Sequence, residues 1–262
     1  MTWRIHQESV VVLLGWPRAI LLQLAHPLVA AGVAQHSTFR GQALQRLRHT
    51  LDASADIVFG TTDQALAAIA QINAIHRRVK GALAEPVGRF PAGAGYRAQD
   101  PELLLWVFAT TALSELLVYS RYVAPLSPAE QERYHDEGKQ VAQLLGIPDR
   151  LVPERLSDLC DYVDATLASD NIAIGPSQRE LARAVLYPCL PVVPGRLLEP
   201  LAAITVGLLP DKVLDGYQLR LTSAGRHLHE RSPALVRRLL PLLPEAVRHL
   251  PRCRAQARLQ AA

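Results

Sequence analysis

An all-α fold is what this sequence predicts, and three observations predict it. Its apolar residues, 49% of 262, are dominated by Leu, Ala and Val, while aromatic residues make up only 5%. A β-sandwich would ask for more Thr, Tyr and Phe and for regularly spaced turn clusters. Apolar positions recur at three- and four-residue intervals, the period of a helix buried on one side. Capping residues also stand where those intervals begin. The length suits one large core. No repeat, low-complexity run or linker divides the chain, so residues 1–262 read as a single domain.

The elements follow in order. Trp16 to Gln35 is strongly apolar and helical, with a break expected at Pro27. A second helix is expected from Gly41 to Phe59, stopped by Gly60. Thr61, Thr62 and Asp63 supply capping side chains for a third, running to Gly81 with Ile69, Ile72, Ile75 and Val79 as its apolar stripe. Residues 82–100 hold Pro86, Gly88, Pro91, Gly93 and Gly95 and read as a long loop, a common place for a lid or binding segment. Asp100-Pro101 opens a helix from Glu102 to Tyr122 that is apolar nearly all round and therefore central. Ser127-Pro128-Ala129-Glu130 is a capping box for a helix to Leu145. Helices over 153–168, 177–186, 197–208 and 233–257 complete the set, with Tyr187 to Pro200 a Pro-rich connector.

Charge and cysteine usage exclude several classes. The net charge of +4 conceals a tail: residues 220–262 carry nine Arg and two Glu, a local +7. These Arg alternate with Leu and Pro rather than with aromatics, which argues against nucleic-acid binding and for a solvated helical end. Cys160, Cys189 and Cys253 form no metal or disulfide pattern and fit a reducing, cytoplasmic setting. Residues 9–34 are apolar, yet Pro17, Arg18, Gln23, His26 and Pro27 interrupt them, so no transmembrane span is expected there. Peripheral contact with a membrane stays open.

His76 is the first residue that could carry chemistry, because it falls on the apolar stripe of its helix. A buried imidazole must hydrogen-bond within the core or ligate something, and both readings stand. Lys80, one helical turn on, could meet an anionic group, or belong with Arg77 and Arg78 to a solvated basic face. Arg46 and Thr50 share a face at i,i+4 spacing, and His49 lies at its edge. Glu132-x-x-His135 has the form of a di-iron ligand element and Glu115 could join it, although the second such element is missing. His227-x-His229 would share a face only on a strand, and no nucleophile elbow occurs.

Ordered strings then carry a resemblance. Leu22-Gln23-Leu24-Ala25-His26-Pro27, Gly32-Val33, His36-Ser37, Arg46-x-x-x-Thr50, Phe59-Gly60, His76-x-x-Val79-x-Gly81, Tyr96-x-Ala98-x-Asp100-Pro101 and Leu105-Trp106-Val107 follow one another, with Leu145-Gly146-Ile147-Pro148 and Thr205-Val206-Gly207-Leu208-Leu209-Pro210 further on. Together they resemble the DUF2236 family, the MPAB-type and rubber-oxygenase catalytic domain. The resemblance implies a globin-like helical core holding haem b, with His76 as the iron ligand and Arg46 and Thr50 near the cofactor; Lys80, by its spacing from His76, could then reach a propionate. It implies catalytic roles for Arg46, Thr50 and His49, the last standing where rubber oxygenases have a lysine. The implied reaction is dioxygenation of an apolar, isoprenoid-type alkene. A non-catalytic haem or lipid binder and a di-iron oxygenase are the alternatives. Two departures stand out: no Glu lies in 24–36 to match the family's distal base, and Phe108 occupies a position where many members have histidine.

Overall fold

The computed structural model describes residues 1–36, 43–188 and 195–260. In them lie fourteen helices and one two-stranded ribbon. The order is α1 (Thr2–His6), a π-helical turn (Val11–Gly15), α2 (Trp16–Leu24), α3 (Pro27–His36), α4 (Ala43–Phe59), α5 (Thr62–Arg78), β1 (Lys80–Ala82) and β2 (Gly95–Arg97). There follow α6 (Pro101–Tyr122), α7 (Pro128–Leu144), α8 (Leu156–Ala168), α9 (Pro176–Leu186), α10 (Glu199–Gly207), α11 (Asp211–Tyr217), α12 (Ser223–Leu239), α13 (Glu245–Arg248) and α14 (Pro251–Gln260). The all-α class holds.

α6 is the axis of the molecule. It is apolar on every side because it is surrounded on every side: α2, the π turn, α7, α8 and α12 all pack on it. Asp100 caps its start by accepting from the Glu102 backbone N–H at 3.0 Å. Its 22 residues are long and apolar enough to cross a bilayer, but most are buried inside the molecule. Gly15, in the π turn, lets the two backbones close up, since a Cβ there would sit 3.4 Å from the Ser114 carbonyl oxygen.

The expected break at Pro27 is a 106° bend between the α2 segment and α3. Proline cannot continue the hydrogen-bond ladder, so a new helix starts, and His26 caps it: its Nδ1 accepts from the Leu28 N–H at 3.3 Å. That requires a neutral ring. Burial, helped by the Arg89 cation, lowers its pKa to about 4.

Three expectations are corrected. The third helix ends at Arg78, not Gly81, because Val79 turns extended and Lys80 begins a strand. Residues 82–100 are not a featureless loop, since Gly95–Arg97 returns antiparallel to Lys80–Ala82. The helix expected over 233–257 begins earlier, at Ser223 behind the Thr222 cap, and is cut after Leu239 where Pro241 and Pro244 remove donors. Pro233 is tolerated inside α12: the Ser232 hydroxyl donates at 3.3 Å to the His229 carbonyl that the proline leaves without its usual partner.

Part of the Arg-rich tail is internal fastening rather than a solvated end. Arg248 grips the buried Glu8 carboxylate at 2.6 Å, and the Leu250 N–H donates to the Gln7 carbonyl at 2.9 Å. Arg252 pairs with Asp56, and Cys253 is buried beside Ala55 and Phe59.

Candidate functional site

α4 and α5 form an antiparallel hairpin joined by Gly60 and Thr61. A capping box fastens the turn, with Thr61 Oγ1 accepting from the Gln64 N–H and the Gln64 side chain accepting from the Thr61 N–H. The covered stripe of α5 runs through Ala65, Ala68, Ile69, Ile72 and His76, while Ile75, expected on it, is exposed. At a rise of about 1.5 Å per residue, His76 lies about 21 Å from the start of α5 and Arg46 about 20 Å from the end of α4. Both therefore stand level at the open end of the hairpin. The Arg46 side chain lies outside the described residues, while His49 and Thr50 are exposed on α4.

His76 is half-buried. Its Nδ1 is screened from solvent and has no hydrogen-bond partner among the described residues, as is also true of His135 Nδ1 and His229 Nδ1. Burial lowers the pKa of the ring, so it is neutral near pH 7 with a lone pair available. An orphaned buried nitrogen costs stability unless something outside the protein satisfies it. A metal-bearing cofactor is one such group, and a neutral imidazole is the donor that haem iron takes.

The end of α5 feeds directly into the ribbon. Lys80 pairs with Arg97, Gly81 with Tyr96 and Ala82 with Gly95. α3 closes over it: Gln35 Nε2 donates to the Ala82 carbonyl at 2.8 Å, Tyr96 Oη donates to Gln35 Oε1 at 2.8 Å, and the His36 ring meets the Lys80 carbonyl at 3.1 Å. Gly81 leaves room for the Tyr96–Gln35 pair: a Cβ would lie 2.6 Å from Tyr96 Oη and 2.8 Å from Gln35 Oε1, so those side-chain ends would have to move. Gly32, Val79 and Tyr96 also meet. Blocks scattered from 32 to 97 in the sequence thus form one unit next to His76. Lys80, Gly81, Gly95, Tyr96, Arg97 and Asp100 line an open depression of about 540 Å³ there. Lys80 is exposed in β1 rather than one helical turn from His76, and it faces a second cation across the ribbon.

The di-iron donors do not converge. Glu132 Oε1 accepts from the Leu156 N–H at 3.1 Å and His135 Nε2 donates to the Pro153 carbonyl at 2.9 Å, so both tie α7 to the segment entering α8. Among the described residues no three His, Cys, Asp or Glu side chains come together as a metal site. His229 lies on α12 and bonds Arg121 at 2.9 Å. Phe108 packs toward Gly138 of α7.

Sequence reasoning missed the most polar part of the core. Glu115, 2% exposed, accepts from Trp16 Nε1 at 3.0 Å and from Tyr134 Oη, and pairs with His6 Nε2 at 3.2 Å. For His6, burial opposes the charged form, but the Glu115 carboxylate outweighs it and raises the pKa. For Glu115, burial is likewise outweighed, by the His6 charge and the Tyr134 and Trp16 donors, and its pKa is lowered. Only a carboxylate inside an apolar helix signalled this network; its partners have no sequence spacing to read.

Residues 3–244 match the model of the family described as ER-bound oxygenase mpaB/B'/rubber oxygenase, catalytic domain. The chain belongs to this family. It is also similar to two uncharacterised proteins, one from Mycobacterium tuberculosis and one from Mycobacterium bovis, each 25% identical over 170 residues. The match covers 63% of this chain and 63% of each relative, so it spans less than two thirds of their length. No solved structure matches. The family is described as an oxygenase catalytic domain. The ribbon, the hairpin and α6 all lie within the matched residues.

Proposed function

We propose that the protein is a haem b-dependent oxygenase acting on an apolar alkene of isoprenoid type, with His76 as the protein's ligand to iron. The observation that carries this reading is the solvent-screened Nδ1 of a neutral His76 at the end of the hairpin, without a partner among the described residues, within a chain of an oxygenase family. Haem iron with one imidazole ligand supplies dioxygen binding and activation.

The chain's own residues divide the remaining work. His76 presents its lone pair from a helix whose start is fastened by a capping box, which limits its wander. Lys80 and Arg97 stand opposite each other in the ribbon, two exposed cations whose mutual repulsion is weakened by solvent. A pair of carboxylates, such as a porphyrin edge carries, would relieve that repulsion. Arg46, level with His76, and His49 and Thr50, one turn along α4, would supply hydrogen-bond donors that orient polar atoms of the reacting complex. Since 24–36 contains no Glu, a reaction needing no carboxylate base in that segment suits the chain. Direct addition of oxygen across a carbon–carbon double bond is such a reaction.

The test is the absorption spectrum of protein expressed with haem supply, wild type beside His76→Ala, with circular dichroism as the control for folding. A Soret band lost in a folded His76→Ala variant is expected. Wild-type protein that stays colourless after incubation with hemin, or a band equally strong in the variant, overturns the assignment. A Soret band without oxygen uptake in the presence of isoprenoid alkenes would make the protein a haem carrier.

A further inference from the structure

The last turn of α5, which carries His76, is held from two directions. Along its length α5 packs on α4, and Asn73 Nδ2 donates to the Leu144 carbonyl at 2.9 Å. Beyond Arg78 the chain is gripped from the side of α3 instead. Val79 turns extended, and its N–H donates to the His76 carbonyl at 3.2 Å. The Val79 carbonyl in turn accepts from the Ala98 N–H at 2.9 Å. β1 and β2 have only three residues each, and an isolated two-stranded ribbon is marginal in water. It has to be docked on something, and the side chain at the centre of that docking is Tyr96.

Tyr96 is 4% exposed. Its ring packs with Ala31 and Leu83 and lies, together with the Val79 side chain, over Gly32 of α3. The His36 ring stands edge-on to it, with centroids 6.2 Å apart, and meets the Lys80 carbonyl. Phenylalanine would supply all of this packing, so packing does not account for the hydroxyl. That group donates to Gln35 Oε1, and Gln35 Nε2 donates onward to the Ala82 carbonyl, both at 2.8 Å. Gln35 is exposed, and a free amide there could turn to water. Held between a donor and an acceptor it keeps one orientation, closing a circuit from β2 through α3 back to β1. A hydrogen bond exchanged for one to water adds little net stability, but it selects one geometry among several. What it selects here is the offset of the ribbon along α3. His76 lies three residues before Val79, about 4.5 Å along the helix, so the same offset places its ring.

We infer that Tyr96, acting through Gln35, is a positioning residue that sets where α5 presents His76. The inference rests on the proposed role of His76 as the iron ligand. Tyr96 is assigned no contact with iron or substrate; it fixes the end of the helix that bears the ligand. Outer partners that orient a metal ligand are worth about 10–100-fold in affinity or activity.

Tyr96→Phe deletes the hydroxyl and keeps the ring. Hemin dissociation from the full chain, followed by transfer to apomyoglobin well below the melting temperature, should become about tenfold faster. Gln35→Ala should act alike, and the double variant should add little, because both changes break one linkage. In haem-free protein, the Val79 and Ala98 amides should exchange with solvent faster in Tyr96→Phe than in wild type. Tyr217→Phe is the control for lost stability, since Tyr217 Oη gives up a buried bond of 2.7 Å to the Leu21 carbonyl. It should lower the melting temperature at least as much as Tyr96→Phe does and leave hemin dissociation unchanged. A Soret band that needs His76, with dissociation equal in wild type and Tyr96→Phe, overturns the positioning role alone. Equal acceleration by Tyr217→Phe overturns it too. Wild-type protein without a Soret band overturns the haem reading, and this inference with it.

Discussion

Replacing Glu115 with glutamine removes one buried charge while keeping the side chain's shape. In the native core that carboxylate serves Trp16 Nε1, Tyr134 Oη and His6 Nε2. The amide keeps one acceptor oxygen, which can satisfy two of these three donors, and it adds two buried N–H donors of its own. A stranded buried donor costs about 1–3 kcal/mol, and breaking a buried ion pair by losing one partner costs about 3–5 kcal/mol. Deprotonation of His6 relieves part of the second cost, which leaves about 3 kcal/mol. For a domain of this size that lowers the melting temperature by about 10 °C. A pH signature accompanies the loss. Because the folded pKa of His6 is raised, its contribution is complete below about pH 6.5. It is lost as pH rises through the folded value. Urea unfolding of wild type and Glu115→Gln across this range should show the wild-type decline and its absence in the variant. A variant within about 0.5 kcal/mol of wild type, or one with an unchanged pH profile, would refute the account of the network.

Other perturbations probe the site and its frame. His26 must be neutral to cap α3, and its folded pKa of about 4 lies below that of the unfolded chain. Stability is therefore complete above about pH 6.5 and falls by up to about 3 kcal/mol as pH drops toward 4. His26→Asn, which caps without titrating, should flatten that part of the acid limb in a melting series; an identical slope would count against the cap. Gly81→Ala should break the Tyr96–Gln35 bond and cost about 1–3 kcal/mol in chemical denaturation, and a neutral result would mean that the ribbon yields. Under the proposed function, Arg46→Ala should leave the Soret band in place and reduce oxygen uptake about tenfold or more. Unchanged uptake with a lowered melting temperature would make Arg46 structural.

Much of the fold was legible because its signals are local. The Thr61 and Ser127 caps, the Asp100-Pro101 start, the Gly60 stop and the Pro27 break all act within one helical turn, and each lies where the residues placed it. The central position of α6 was legible because a helix apolar all round has no face to give to water. The ribbon was not legible: three-residue strands have no periodicity to read, and what makes them strands is α3 closing over Tyr96 and Gly81. Arg-rich composition suggested a solvated tail, yet Arg248 is drawn inward by a carboxylate 240 residues away.

On its own the sequence determined the helical class, most helix boundaries, the family and the placing of His76 on a covered stripe, since capping and amphipathic period are properties of neighbours in the chain. Only the tertiary structure decided which polar groups are satisfied. It pairs Glu115 with His6, Trp16 and Tyr134, engages Glu132 with the Leu156 N–H and His135 with the Pro153 carbonyl, and leaves His76 Nδ1 without a partner among the described residues. Desolvation and hydrogen bonding act through space, and no spacing along the chain records them.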